Sequence, residues 1–316
     1  MKTARWRAEL LRYEAGVHEL GDPATPAAIE AAARRCGFSL PPSFREFLDT
    51  HDGGTLFHEA YGIGPCADLT ADVLGWEGDA VLAFDPARAD LDGEMPMVRF
   101  EPGAGVSLTV GSRFDRWLEA VLLREQLVYD TDGDFRDVFE DRSPELCLDV
   151  MRKREERSLR ADPGAPAPHF ELGRLHAREG RLAQAVACIE RAIALEPDFP
   201  WAHFELGRLR REIGRPAEAI QSFTRAAELD RDQAPVAYAW AARIAAERGD
   251  AQGAARLRAR VRLADPSFAE RHKKVGRELL EVGDPNAADI LTLGQAIEPD
   301  PQTAALLARL APKRRR

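Results

Sequence analysis

Four arginines, Arg174, Arg208, Arg243 and Arg277, recur in the second half of the chain at intervals of 34, 35 and 34 residues. A guanidinium stays charged and offers a planar fork of donors, so a row of four suits the carboxylates of an extended acidic peptide or a C-terminus, held by bidentate bonds. The same row has a plainer use. Glu212, Glu247 and Glu281 stand four residues after three of these arginines, where a helix lets them pair along its own surface. Arg174 has Arg178 at that place instead. Phe170, Trp201 and Phe204 flank the first two arginines and offer either an apolar anchor for such a ligand or packing within the array.

Other chemistry-bearing residues assemble less well. Asp130, Asp132 and Asp134 hold the first, third and fifth places of a calcium-loop spacing, but Phe135 replaces the required glycine and Asp141 the bidentate glutamate, which leaves an acidic turn. His51, Asp52 and His58 surround Gly53-Gly54 without metal or catalytic spacing. The glycines of 101–106 are too short a run for a phosphate loop. No nucleophile, base and orienting acid come together, so the sequence predicts no enzyme, no cofactor and no metal.

The elements that carry the arginines form a repeat. Gly180, Gly214, Gly249 and Gly283 share the 34, 35 and 34 spacing, and segments starting at Pro166, Pro200, Pro235 and Ala269 align on them. Each has a small residue at the eighth place (Gly173, Gly207, Ala242, Gly276) and another at the twentieth (Ala185, Ala219, Ala254, Ala288). A repeat of this length with a glycine break is one helical hairpin that buries its apolar face only by stacking. Gly173 and Ala185 belong where the two helices cross, since larger side chains would hold the backbones apart. His169, His203 and His272 share one place, with Tyr238 in the third segment. Hairpins stack about 10 Å apart, so these imidazoles are core aromatics rather than ligands of one ion.

In length and pattern the array resembles the tetratricopeptide repeat family. Leu172, Gly173, Ala185, Ile189, Ala192 and Pro197 match it in the first repeat. Leu206, Gly207, Ala219, Phe223 and Ala226 match in the second, with Arg231 in place of the closing proline. Arg258 and Val261 weaken the third repeat, and the fourth closes early at Pro299. The resemblance implies that the first helices line a concave groove and that the arginine place points into it. Phe170 and Phe204 stand where the chaperone-tail binding versions carry lysine, and arginine stands where they carry asparagine, so a chaperone tail is not the expected ligand.

The first half reads as helices at Thr3–Leu20, from Pro26 to Phe38 with a stripe of Ile29, Ala33 and Cys36, and at 112–130 with Phe114, Trp117, Leu118, Val121 and Leu122 on one face. Apolar runs at 80–85, 95–100 and 105–111, bounded by Gly, Pro and Asp, predict strands. A further helix is expected at 143–160, started by Ser143-Pro144. Between the first two helices and the strands lies an ordered string: Gly37-Phe38, Leu40-Pro41, Phe44, Phe47, Leu48, Asp52 and Gly53-Gly54. It resembles the SUKH superfamily of yeast cell-wall-synthesis regulators and related bacterial proteins, with Asp52 where asparagine is common. The resemblance implies an α+β fold, a small sheet with packed helices, and bacterial relatives that are often immunity proteins.

The expected architecture is therefore an α+β domain over 1–160, a proline-rich linker over 161–168 and an all-α solenoid of four hairpins over 169–312. In 316 residues, 45% hydrophobic and 31% charged, there is room for both. No apolar run approaches the roughly 18 residues that span a membrane. The glutamates at 9, 14 and 19 speak against a secretory signal. Cys36, Cys66, Cys147 and Cys188 lie far apart, as buried small hydrophobes of a cytoplasmic protein do. Residues 1–160 hold 19 Lys+Arg against 31 Asp+Glu, whereas 161–316 hold 25 against 22. That acidic first half disfavours nucleic acid and steers a basic protein toward it, such as a toxin, while the arginine row expects an acidic peptide. The C-terminal run from Lys313 to Arg316 is a solvated tail.

Overall fold

The strands of the first half are three to five residues long, and each pairs with its neighbour in sequence. The computed structural model describes residues 5–100, 107–140 and 145–310. The Ser143-Pro144 cap, the glycines of 101–106, Asp141 and the basic tail lie outside the described residues. The chain divides into two units, Met1–Pro197 and Asp198–Arg316.

The first unit opens with α1 (Arg5–Leu10), β1 (His18–Leu20), α2 (Pro26–Cys36) and α3 (Pro42–Leu48). Six strands follow: β2 (Gly54–Leu56), β3 (Tyr61–Ile63), β4 (Gly75–Glu77), β5 (Ala80–Phe84), β6 (Met97–Phe100) and β7 (Leu108–Gly111). Together with β1 they form, among the described residues, one antiparallel meander in sequence order. Helices α4 (Phe114–Glu125) and α5 (Leu148–Ala161) complete the α+β part. Phe44, Phe47, Leu48, Phe114, Leu118, Val121 and Leu122 are sealed from solvent in a core that joins α3, α4 and the sheet.

The local chemistry explains the boundaries. Thr25 accepts from the Ala28 amide at 3.2 Å, Pro26 occupies the first turn of α2, and Gly37 closes it in the left-handed region at φ 78°. The buried stripe runs through Ile29, Ala32 and Cys36 rather than Ala33, which is only partly covered. The expected helix at Thr3–Leu20 stops at Leu10; Gly16 at φ 99° turns the chain and residues 18–20 pair with the glycine turn as β1. Sheet pairing there outweighs helix propensity, which is a weak prior. Within the string resembling the SUKH motif, Asp52 accepts from the Cys66 amide at 2.6 Å and Gly53 and Gly54 sit at φ 76° and 138°, so the motif builds the turn into β2.

The stretch 161–168 is not an extended linker. Asp162 is 1% exposed and accepts from the Ser112 amide and hydroxyl, both at 2.6 Å. Pro166 and Pro168 lie in the first turn of α6 (Pro166–Arg178), where proline's missing N–H has no helical partner to lose. Helix α6 packs on β7 and on α5, and with α7 (Leu182–Leu195) it makes the first hairpin, so this hairpin belongs to the first unit. Arg88, after β5, reaches Glu196 beyond α7 at 3.5 Å. The expected helix at 143–160 begins at Leu148.

The second unit contains the hairpins α8 (Pro200–Glu212) with α9 (Pro216–Leu229), α10 (Ala234–Glu247) with α11 (Ala251–Ala264), and α12 (Phe268–Glu281) with α13 (Ala287–Ile297). A last helix, α14 (Pro301–Leu310), packs on α13 and was not anticipated in the sequence. Asp300 caps it by accepting from the Thr303 amide at 2.8 Å and pairs with Lys273 at 2.9 Å. Small residues do sit at the crossings. A Cβ on Gly173 would lie 2.5 Å from Ile189 and 3.2 Å from the Ala185 carbonyl; on Gly207 it would lie 2.9 Å from the Phe223 ring. Among the described residues no helix is long and apolar enough to cross a membrane.

Candidate peptide-binding groove

The repeat phase that sets Gly207 and Ala242 inward at the crossings puts the next residue, the arginine, on the outside of the same helix. Arg208 is accordingly exposed, Arg243 half-buried and Arg277 exposed, on α8, α10 and α12 of the second unit. Arg174 occupies the same place on α6 in the first unit and is exposed too. Their helix partners differ from those the sequence suggested. Arg208 meets Glu205 at 2.9 Å and Arg174 meets Glu171 at 3.2 Å, each three residues back rather than four ahead. Arg243 does pair forward, with Glu247 at 2.9 Å, and approaches Asp289 at 3.6 Å. Arg277 makes no ion pair among the described residues.

Beside these arginines lies an aromatic whose place in the other repeats is held by Glu171, Glu205 and Lys274. Trp240, half-buried on α10, has the Arg211 guanidinium 4.3 Å from its ring centroid and that of Arg243 at 5.1 Å. Phe223 stacks behind it at 6.2 Å and 14°. Burial, followed by repulsion from Arg243, pulls the Arg211 guanidinium below its ordinary pKa. Two cations on one indole, with a third arginine a turn away on α8, make a positively charged patch on an apolar floor. The signal was present: Arg211 lies one turn after Arg208, and Trp240 one turn before Arg243.

The expected anchors are drawn into packing. Phe204 sits edge-on to Phe223 at 5.1 Å, Trp201 edge-on to the buried Phe199 at 6.2 Å, and Phe170 is 7% exposed. His272 stacks on Phe268 at 3.7 Å and shares a hydrogen bond with its carbonyl at 2.9 Å, while burial lowers the pKa of both His169 and His272. The Asp130 carboxylate accepts from the amides of Asp132 and Asp134 at 3.1 and 3.0 Å, an Asx-type turn that uses its oxygens locally.

A second polar cluster lies inside the first unit. Tyr61 donates to Glu125 at 2.7 Å, and Arg124 reaches Tyr61 at 2.8 Å and Glu77 at 2.6 Å. Arg154 adds a bond to Glu125. Glu77, Arg124 and Arg154 border a cavity of about 270 Å³ that also touches Arg99, Glu155 and Glu171. Burial pushes the Glu155 carboxyl up to about 7 against the pull of Arg124 and Arg154. A carboxyl raised on folding stabilises the folded state below its unfolded pKa and loses that contribution as pH rises through the folded value. Glu155→Gln is therefore expected to raise the melting temperature relative to the parent at pH 8 and to leave it level near pH 4, below the unfolded pKa, read by thermal unfolding at both.

A profile of the SMI1/KNR4 family (SUKH-1) matches residues 23–119, and one of the tetratricopeptide repeat matches 156–198, 170–234 and 204–267. Neither family is an enzymatic one. Among solved structures, YrrB, described as a TPR protein with an unusual peptide-binding site, is 20% identical over 51% of this chain and 84% of its own, with a TM-score of 0.38. MamA is 17% identical over 51% of this chain and 91% of its own, also with a TM-score of 0.38. A complex of Cut9 and Hcn1 gives 20% identity over 52% of this chain and 33% of the other, with a TM-score of 0.36. No curated protein matches the chain.

Proposed function

Residues 23–119 form an SMI1/KNR4-type domain and residues 156–267 carry tetratricopeptide repeats, and from that pairing we propose that the protein is a non-enzymatic, cytoplasmic interaction protein with two binding surfaces. One surface captures an acidic peptide or C-terminus on the repeats. The observation that carries it is the Trp240 platform between Arg211 and Arg243, with Arg208 exposed nearby. Carboxylates accept bidentate bonds from the guanidiniums while an apolar side chain of the ligand covers the indole. The other surface belongs to the acidic first half, whose charge favours a basic protein, and a toxin neutralised in the manner of immunity proteins is the partner of that kind. A scaffold or regulatory adaptor acting mainly through the arginines is the second reading, favoured by the same platform.

The test is charge reversal in the full chain. A fluorescently labelled acidic peptide with a free C-terminus should bind the parent, and Arg208→Glu with Arg243→Glu should weaken it by at least about tenfold, since each charge-assisted bond contributes about 1.5–3 kcal/mol. Circular dichroism should be unchanged. Peptide affinity equal in parent and variant removes the groove. A basic protein held equally by both, and released by salt, places the principal contact in the first half.

A further inference from the structure

The first unit holds a cavity that takes no part in the arginine groove. It measures about 360 Å³ and lies where α1, the turn after it, β1 and the residues following α3 meet. Its walls are largely apolar: Trp6 and Leu10 from α1, Leu20 from β1, and Leu11, which is 85% exposed. Phe47 of the motif supports this wall from behind, 5.6 Å from Trp6 and 5.7 Å from His51, which also lines the cavity.

Four of the lining residues carry a buried polar atom with no hydrogen-bond partner among the described residues: Trp6 Nε1, Arg7 Nε, Tyr13 Oη and His18 Nε2. Trp6 as a whole is 1% exposed. All four are donors. The indole and guanidinium nitrogens can only donate. His18 Nδ1 accepts from the Phe57 amide at 3.3 Å, which leaves the ring proton on Nε2. Burial pushes the His18 pKa down to about 4 and that of Tyr13, helped by Glu125, up to about 12, so both keep these donors at neutral pH. Tyr13 and His18 lie edge to face with ring centroids 4.9 Å apart. The carboxylates and guanidiniums that line the cavity itself are Arg7, which holds Glu46 through Nη2 at 3.2 Å, and the exposed Glu14.

An unpartnered buried donor costs on the order of 1–3 kcal/mol, and four of them belong to residues that line one cavity, so a ligand rich in acceptors that settles there relieves that cost. A cavity above about 300 Å³ is of small-molecule size. We propose that this cavity binds a small aliphatic carboxylate, whose oxygens accept from Tyr13 and His18, whose charge is met by Arg7, and whose chain lies on Trp6, Leu10 and Leu20. The site is independent of the repeats.

Octanoate titrated into the full chain by calorimetry should bind saturably at one site, and octanol, which lacks the carboxylate, at least about tenfold more weakly, a difference of about 1.4 kcal/mol. Tyr13→Phe removes one donor without changing shape and should weaken octanoate several-fold. Leu11→Asp at the exposed position should do the same by repulsion, with folding unchanged by circular dichroism. Absence of saturable octanoate binding overturns the proposal, and so does binding that both variants leave intact. A leucine-terminated peptide that binds when octanoate does not overturns the small-molecule assignment. None of these outcomes depends on Arg208 or Arg243, so failure here and failure of the groove are separable.

Discussion

Gly54→Ala is expected to unfold the first unit under conditions where the parent is fully folded, with a loss of about 3 kcal/mol or more. Two costs coincide at this position. The backbone sits at φ 138°, a region that L side chains rarely adopt, and a Cβ would lie 2.3 Å from the Glu19 carbonyl oxygen and 2.8 Å from the Leu20 Cα. Leu20 is the residue paired with Gly54 in the β1–β2 ladder, so the clash falls on backbone that cannot move without breaking the sheet edge. Gly16→Ala is the matching control. Its φ of 99° is also left-handed, but nothing lies within 4 Å of a Cβ there. It should cost about 1–2 kcal/mol. Urea unfolding followed by tryptophan fluorescence separates the two; equal losses would show that conformation alone, and not the approach of β1, fixes the glycine pair.

Phe223→Ala should cost about 3–5 kcal/mol in the repeat unit, the range for deleting a sealed aromatic ring. Phe223 has no exposed surface, fills the space over Gly207, and contacts both Phe204 and Trp240. A repeat array is stabilised by each hairpin and its interface with the next, and this ring serves both. The same substitution removes the support behind Trp240, so peptide affinity should fall even at temperatures where the variant remains folded. Phe223→Leu keeps most of the volume and should retain both properties in large part. Chemical denaturation gives the stability and peptide titration at low temperature gives the second effect. Unaltered affinity in a folded Phe223→Ala would mean that Trp240 does not depend on the ring behind it.

The repeat was legible because its constraint is repeated: each hairpin needs the same small residues at its crossing and the same glycine after its first helix. Helix α2 was legible from Thr25, Pro26 and Gly37, and the buried face of α4 from its apolar spacing. Strands β1 to β4 were not, since each has three residues and several are glycine, too few for an alternation to show. Their existence depends on pairing with a neighbour. The prolines of 161–168 read as breakers, although at the first turn of a helix they are compatible with it. In the groove the arginine row was visible by periodicity. Trp240 and Arg211 were not, because a platform made from two consecutive repeats breaks the repeat it stands on.

The Asp162–Ser112 contact and the seating of α6 on β7 bear on how the protein is made. A chain leaving the ribosome at roughly 5–20 residues per second presents its sheet before the helices that finish it. All seven strands lie before residue 112, yet the first unit extends to Pro197. Until residue 162 has emerged, the Asp162 carboxylate cannot cap the Ser112 amide, and until α6 has emerged β7 lacks the helix that packs on it there. The first repeat is thus packed into the unit that holds the sheet, and a fragment ending at residue 160 would lose the helix that packs on β7 and α5.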